Sequence, residues 1–137
     1  MIQRIQTVYL FLAALSAILF IVIPFGQVKT DTGVETWHIY QVMPIMIAAI
    51  ITALSSLVTI FLFGNRKLQL KFVLLDMFFG IVLLGLFIYG VTQHIGIQHY
   101  VFGIGAIFPL LIFLFLFLAR ISINKDEKLV RSMDRLR

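Results

Sequence analysis

The chain has 137 residues, of which 61% are hydrophobic and only 12% are charged, whereas soluble domains carry about 25% charged residues. This composition excludes an ordinary soluble protein, and the net charge of +5 is better explained by membrane topology and anionic lipid than by nucleic acid. The absence of cysteine excludes disulfide exchange, thiolate metal sites and cysteine nucleophiles.

Four apolar segments approach the roughly 20 residues that a membrane-spanning helix needs. They are residues 5–25, 42–64, 72–91 and 100–119. The first lacks the small-residue cleavage site of a signal peptide, so we expect it to remain as a span. Pro109 predicts a kink inside the fourth span. We therefore predict an all-α integral membrane protein, with a four-transmembrane-helix bundle in residues 1–119 and a basic tail in residues 120–137.

The distribution of Lys and Arg predicts how the chain crosses the membrane. With four spans, both termini and the turn at residues 64–71 share one side. That side holds ten of the eleven Lys and Arg residues, and the other side holds only Lys29. Because cations are retained on the inner side, both termini are predicted to be cytoplasmic.

Small residues predict where the first two spans meet. Between helices in lipid, small side chains mark contact faces because they allow close approach. The first span carries Ala13 and Ala17, and the second carries Ala48, Thr52 and Ser56 at four-residue spacing, with Ala49 and Ala53 adjacent and Ser55 and Thr59 on the same side. Each hydroxyl could instead simply bond back to its own helix, but the regular spacing favours a packing face. We expect the second span to be the most buried and the fourth to face lipid over much of its surface.

Asp76 is the only ionisable side chain within a predicted span apart from the tyrosines. A charge inside a membrane is a functional-site hypothesis by default. Asp76 lies about one helical turn from the cytoplasmic end of its span, where water and headgroups still reach. We therefore favour an ionised interfacial residue paired with Arg4, Lys71 or Arg120. A proton or ion relay is the alternative.

Histidines on the outer side are weak candidates for a metal site. His38, His94 and His99 match no metal-binding motif in their spacing. We expect them to be interfacial residues in an aromatic belt that includes Trp37, Tyr40 and Tyr100. The sequence has no phosphate-binding loop, serine elbow or paired carboxylates, so it predicts no enzymatic activity and no cofactor.

The tail shows the pattern of an amphipathic helix over residues 125–136. Asn124 followed by Glu127 resembles a capping box. Leu129, Met133 and Leu136 fall at helical spacing and form one apolar stripe. This helix could bind anionic lipid or a protein, or the tail could be a solvated topology signal. The predicted contact residues are Arg120, Lys128, Leu129, Arg131, Met133, Arg135 and Leu136.

Three stretches carry a family resemblance: the start MIQRIQTVYL, the NRKLQ turn after the second span, and the ending KDEKLVRSMDRLR. They resemble a family of small four-span inner-membrane proteins found in Bacteroidota and catalogued as domain of unknown function 4293. The resemblance covers the whole chain and implies residence in the cytoplasmic membrane of a Gram-negative cell. It implies no activity, ligand or residue role.

Two functions remain open from the sequence. The favoured one is a non-enzymatic membrane subunit or scaffold that recruits a protein partner or anionic lipid through its cytoplasmic face. The alternative is a small-molecule, ion or proton carrier or channel that uses Asp76, with a homo-oligomer left open.

Overall fold

The computed structural model describes residues 5–30, 33–95 and 100–134. In chain order its helices are α1 (Ile5–Val22), α2 (Met43–Phe61), α3 (Arg66–Gly90) and α4 (Phe108–Asp134), and its strands are β1 (Gly26–Thr30), β2 (Gly33–Trp37) and β3 (Tyr100–Phe102). The four helical segments are each long and apolar enough to cross a membrane. This confirms the four predicted apolar helices.

The four helices form a closed ring in which each packs against the next and α4 returns to α1. Neighbouring helices run antiparallel: the Arg66 guanidinium at the start of α3 donates to the Asp126 carbonyl near the end of α4, at 3.2 Å. We call the end of the bundle with the start of α1, the α2–α3 turn and the end of α4 the tail end. The opposite end, which carries the three strands, is the sheet end.

The contact between α1 and α2 confirms the predicted small-residue faces. Ala13 and Ala17 are completely buried on α1, and Thr52 and Ser56 are completely buried on α2. Ala49 takes the central position on α2, and Ala48 is only half-buried. The prediction that the second span is the most buried was wrong. The buried share is 39% for α1 and 33% for each of the other three spans, since the small face of α1 packs against both α2 and α4.

The helix connections at the sheet end form a small antiparallel sheet with strand order β2–β1–β3. β1 and β2 make a hairpin in which Val28 pairs with Glu35, and β3 pairs with the other edge of β1. Gly33 follows the turn with φ of +143°, a conformation that side chains other than glycine rarely adopt. The prediction of an entirely helical protein therefore missed three strands.

The fourth helix begins later than predicted because the chain first completes the sheet. Tyr100–Phe102 forms β3, a 3₁₀ turn covers Ile104–Ile107, and α4 starts at Phe108. Pro109 consequently lies in the first turn of α4, where a missing N–H breaks no helical hydrogen bond. The predicted interior kink at Pro109 was wrong.

Tyr100 and Phe25 fasten the sheet to the helices. The Tyr100 hydroxyl donates to the Phe25 carbonyl at 2.5 Å, and the same carbonyl accepts from the Gly103 N–H at 3.0 Å. The Phe25 ring stands edge-on to Phe87, with 5.5 Å between centroids. A Cβ at Gly26 would overlap the Tyr100 ring, so only glycine allows this approach. Tyr100 is thus a buried core residue, and its predicted place in an exposed aromatic belt was wrong.

We predict that Tyr100→Phe lowers the free energy of unfolding by about 0.5–1.5 kcal/mol, the usual net worth of one hydrogen bond. The loss stays moderate because the Phe25 carbonyl keeps its bond from Gly103. Thermal unfolding in detergent measures it. Tyr89→Phe is the matched control, since Tyr89 is 60% exposed, and equal melting temperatures for the two variants would contradict the assignment.

Burial raises the pKa of Tyr100 from its ordinary value of 10.0 to about 12. The folded protein therefore retains this proton at a pH where the unfolded chain has lost it. The stabilisation from the neutral phenol is complete below the ordinary value and disappears as the pH rises through the folded value. The stability of the wild type should fall as the pH rises through this range. We expect Tyr100→Phe to show a smaller fall, and Tyr89→Phe to show the same fall as the wild type.

Candidate functional site

Five buried polar side chains gather inside the tail end of the bundle. We call them the polar cluster: Gln6 of α1, Ser56 and Thr59 of α2, and Gln69 and Asp76 of α3, each no more than 1% exposed. Gln69 and Asp76 share a face of α3 because they are seven residues, about two helical turns, apart. Ser56 and Thr59 are likewise one turn apart on α2. Of this set, the sequence predicted Ser56 and Thr59 on the packing face of the second span and Asp76 inside the third span, and it gave no role to Gln6 or Gln69.

Asp76 is completely buried, although the sequence predicted an interfacial residue within reach of water. Lys71 is exposed, and five residues of helix place its side chain about 140° around α3 from Asp76. Arg120 is half-buried on α4, and Arg4 lies outside the described residues. The hydrogen-bond partner that the structure shows is Thr59, whose Oγ is 3.1 Å from Asp76 Oδ2. The predicted exposure was therefore wrong, and the ion pair with Arg4 remains untested.

Thr59 joins α2 to α3 through both its hydroxyl and its carbonyl. Its Oγ lies 2.8 Å from the Ser55 carbonyl of its own helix as well as near Asp76. Its carbonyl accepts from the Gln69 side-chain amide at 3.2 Å. Thr59, near the end of α2, thus contacts two polar residues of α3, Asp76 and Gln69. The sequence predicted Thr59 on a packing face but not its bonds to α3.

Several polar atoms of the cluster have no hydrogen-bond partner within the described parts of the chain. They are Gln6 Oε1 and Nε2, Ser56 Oγ, Gln69 Oε1 and Asp76 Oδ1. Leaving a buried polar group unpaired costs about 1–3 kcal/mol, so a core built for stability alone would replace these side chains by apolar ones. The cluster is therefore the best candidate for a functional site in the interior.

The interior becomes apolar between the polar cluster and the sheet end. Ser16 and Thr52 lie on this path, but their hydroxyls donate to carbonyls of their own helices. Beyond them the completely buried side chains of the described residues, up to the sheet, are hydrophobic; the largest are Phe20, Ile45, Leu83 and Ile112. The polar cluster therefore faces only the tail end.

The C-terminal segment is a direct continuation of α4. Our prediction of a separate, capped helix was therefore wrong. Asn124 lies inside the helix and cannot be its N-cap. No glycine or proline separates Ala119 from Asp134, so nothing interrupts the helix as it leaves the apolar span. Ile123 is completely buried, and the Arg66 bond to the Asp126 carbonyl attaches this extension to α3.

The extension exposes part of the predicted contact surface. Leu129 is 62% exposed, Lys128 is exposed and Arg120 is half-buried. Arg131 and Met133 belong to α4, but their side chains lie outside the described part of the structure, as do Arg135 and Leu136 altogether. The apolar stripe of Leu129, Met133 and Leu136 therefore remains a prediction.

Of the three histidines, His38 is the one whose side chain the structure describes. His38 stacks on Tyr40 with 5.0 Å between ring centroids. The side chain of His94 and all of His99 lie outside the described residues. Among the residues that are described, no group of three His, Cys, Asp or Glu side chains could hold a metal ion.

Comparison of the chain with known proteins identifies a family. No curated protein and no solved structure gave a significant match. A family model described as a domain of unknown function matches residues 2–136, almost the entire chain. Its description specifies no activity. The chain belongs to the family described as Domain of unknown function (DUF4293).

Proposed function

We propose that this protein is a non-enzymatic membrane subunit or scaffold of the bacterial inner membrane that recruits a protein partner or anionic lipid at its tail end. The observation that carries the proposal is the unbroken extension of α4. From Arg120 to Asp134 the helix continues for about 20 Å past the apolar span. A rigid extension of this length presents side chains to a surface more effectively than a disordered tail.

Charge and exposure support the same end of the molecule. Ten of the eleven Lys and Arg residues fall at the tail end by sequence, and the positive-inside rule supports a cytoplasmic orientation of that end. Lys128 and Leu129 are exposed side by side on the extension. A cation beside an exposed leucine suits a headgroup layer or an acidic surface with an apolar pocket.

The interior argues against a carrier built from a single copy. Transport needs polar groups along a path, whereas the described interior turns hydrophobic beyond Thr52. At the sheet end, Phe20, Phe25 and Phe87 pack ring against ring and close the bundle. The scaffold function is therefore the better supported of the two.

The proposed orientation can be tested with single cysteines, since the natural chain contains none. We expect Val34→Cys in β2 to react with a membrane-impermeant maleimide from outside intact spheroplasts. Ser132→Cys in α4 should react only after the membrane is opened. Both positions are exposed, so accessibility of the side chain does not limit either reaction. Labelling of Ser132→Cys in intact spheroplasts would contradict a cytoplasmic tail end.

The proposed contact of a partner with Lys128 and Leu129 can be tested with Leu129→Glu. We expect this variant to lose partner capture in a mild-detergent pull-down from native membranes, because a carboxylate replaces the exposed apolar contact. Its melting temperature should stay near that of the wild type, since surface substitutions change stability by about 0.5 kcal/mol or less. Val34→Glu, at a 61% exposed position of the sheet end, is the matched control.

A second measurement separates lipid from protein as the partner. Hydrogen exchange of the extension amides is compared in nanodiscs of phosphatidylglycerol and of phosphatidylcholine. Protection that depends on phosphatidylglycerol and is lost in Leu129→Glu indicates lipid. A stoichiometric protein in the pull-down that Leu129→Glu loses indicates a protein partner. The proposal would be contradicted if Leu129→Glu captured the same proteins as the wild type and if the extension amides exchanged equally fast in both proteins.

A further inference from the structure

The hydrogen bonds of Thr59 bear on the protonation of Asp76. Thr59 Oγ is 2.8 Å from the Ser55 carbonyl and 3.1 Å from Asp76 Oδ2. A hydroxyl has one proton to donate. The Ser55 carbonyl can only accept, so the shorter contact takes the Thr59 proton. The longer contact with Asp76 is then best satisfied by a proton on the carboxyl oxygen, which donates to a lone pair of Thr59 Oγ.

The surroundings of Asp76 also favour a neutral acid. Asp76 is completely buried, and α2, which packs against it through Thr59, contains no ionisable residue. A buried charge without a partner of opposite charge costs several kcal/mol, and protonation removes that cost.

The ionisable groups on the neighbouring elements do not replace such a partner. Lys71 on α3 is exposed, Tyr9 on α1 is half-buried, and Arg120 on α4 is half-buried beside the buried Ala119. Among the described residues, the hydrogen-bond partner shown for Asp76 is Thr59.

We propose that the polar cluster is a proton-binding site, in which Asp76 holds the proton on Oδ2 and donates it to Thr59 Oγ. Loading adds one proton from water to the Asp76 carboxylate and gives the neutral acid. No other bond forms or breaks, and release is the reverse step. This site is independent of partner docking on the α4 extension.

The geometry gives the proton access from the tail end alone. Gln69 lies seven residues nearer the start of α3 than Asp76, which is about 10 Å along the helix. Gln6 lies in the first turn of α1, and both glutamines have buried polar atoms without partners. Towards the sheet end the described interior is hydrophobic. The site therefore binds and releases its proton on one side and does not relay it across the membrane.

A monovalent cation is the chemical competitor, since Ser56 Oγ, Gln69 Oε1 and Asp76 Oδ1 are all oxygens without partners. A cation site would need the ionised carboxylate. The contact between Asp76 and Thr59 would then compete with the shorter bond from Thr59 to Ser55. The observed distances favour the proton.

The test is infrared spectroscopy of the full chain in a bilayer, recorded from mildly acidic to neutral pH. We expect the wild type to show the carbonyl stretch of a protonated carboxylic acid, and Asp76→Asn to lack it. Asp126→Asn is the matched control, since Asp126 is half-buried on the α4 extension, and it should keep the band. Absence of the band from the wild type would overturn the proposal.

Thermal unfolding provides an independent readout. An asparagine amide can donate to Thr59 Oγ as the protonated acid does, so Asp76→Asn should melt at the wild-type temperature. A marked fall would mean that the wild type depends on an ionised carboxylate, which overturns the proposal. The wild type should also melt equally in sodium and choline chloride. Stabilisation by sodium that Asp76→Asn abolishes would instead identify a cation site.

Discussion

Close packing of the small-residue face of α1 is the constraint on which the rest of the structure depends. Ala13, Ala14 and Ala17 have almost no exposed surface, and α1 contacts both α2 and α4. In lipid the driving force between helices is contact between their surfaces, so bulky side chains at these positions would hold the neighbours apart. Because α1 closes the ring, the interior is shielded from solvent. The burial of the polar cluster therefore depends on the alanines of α1, although α1 itself contributes only Gln6 to the cluster.

Hydropathy was enough to predict the helices but not their ends. β3 lies at the start of an apolar run, so Tyr100–Phe102 could not be distinguished from the beginning of the fourth span, and its pairing with β1 joins residues more than 70 positions apart. The capping pattern at Asn124 was outweighed by the helix already running through it. Depth along a single helix predicts an accessible Asp76. Its actual burial involves packing against α2, where Thr59 contacts it from 17 positions away in the sequence.

The two ends of the bundle differ in how firmly they are joined. At the sheet end, β1 and β3 hydrogen-bond the α1–α2 connection to the α3–α4 connection, and the Tyr100 hydroxyl adds a bond to the Phe25 carbonyl. At the tail end the covalent link is the α2–α3 turn, and the bond from Arg66 to the Asp126 carbonyl is the described contact between α3 and the extension. The sheet end thus has hydrogen bonds between its two helix connections. The polar cluster and the exposed extension lie at the tail end.

Helix α3 connects the two features that the tail end presents. Asp76 and Gln69 bond to Thr59 of α2 from one face of α3, and the Arg66 guanidinium holds the α4 extension at the start of the same helix. The distance from Asp76 to Arg66 is ten residues, or about 15 Å of continuous helix. No break interrupts α3 over this length. The contact between Thr59 and Asp76 and the bond that holds the extension therefore lie on one continuous helix but at separate positions.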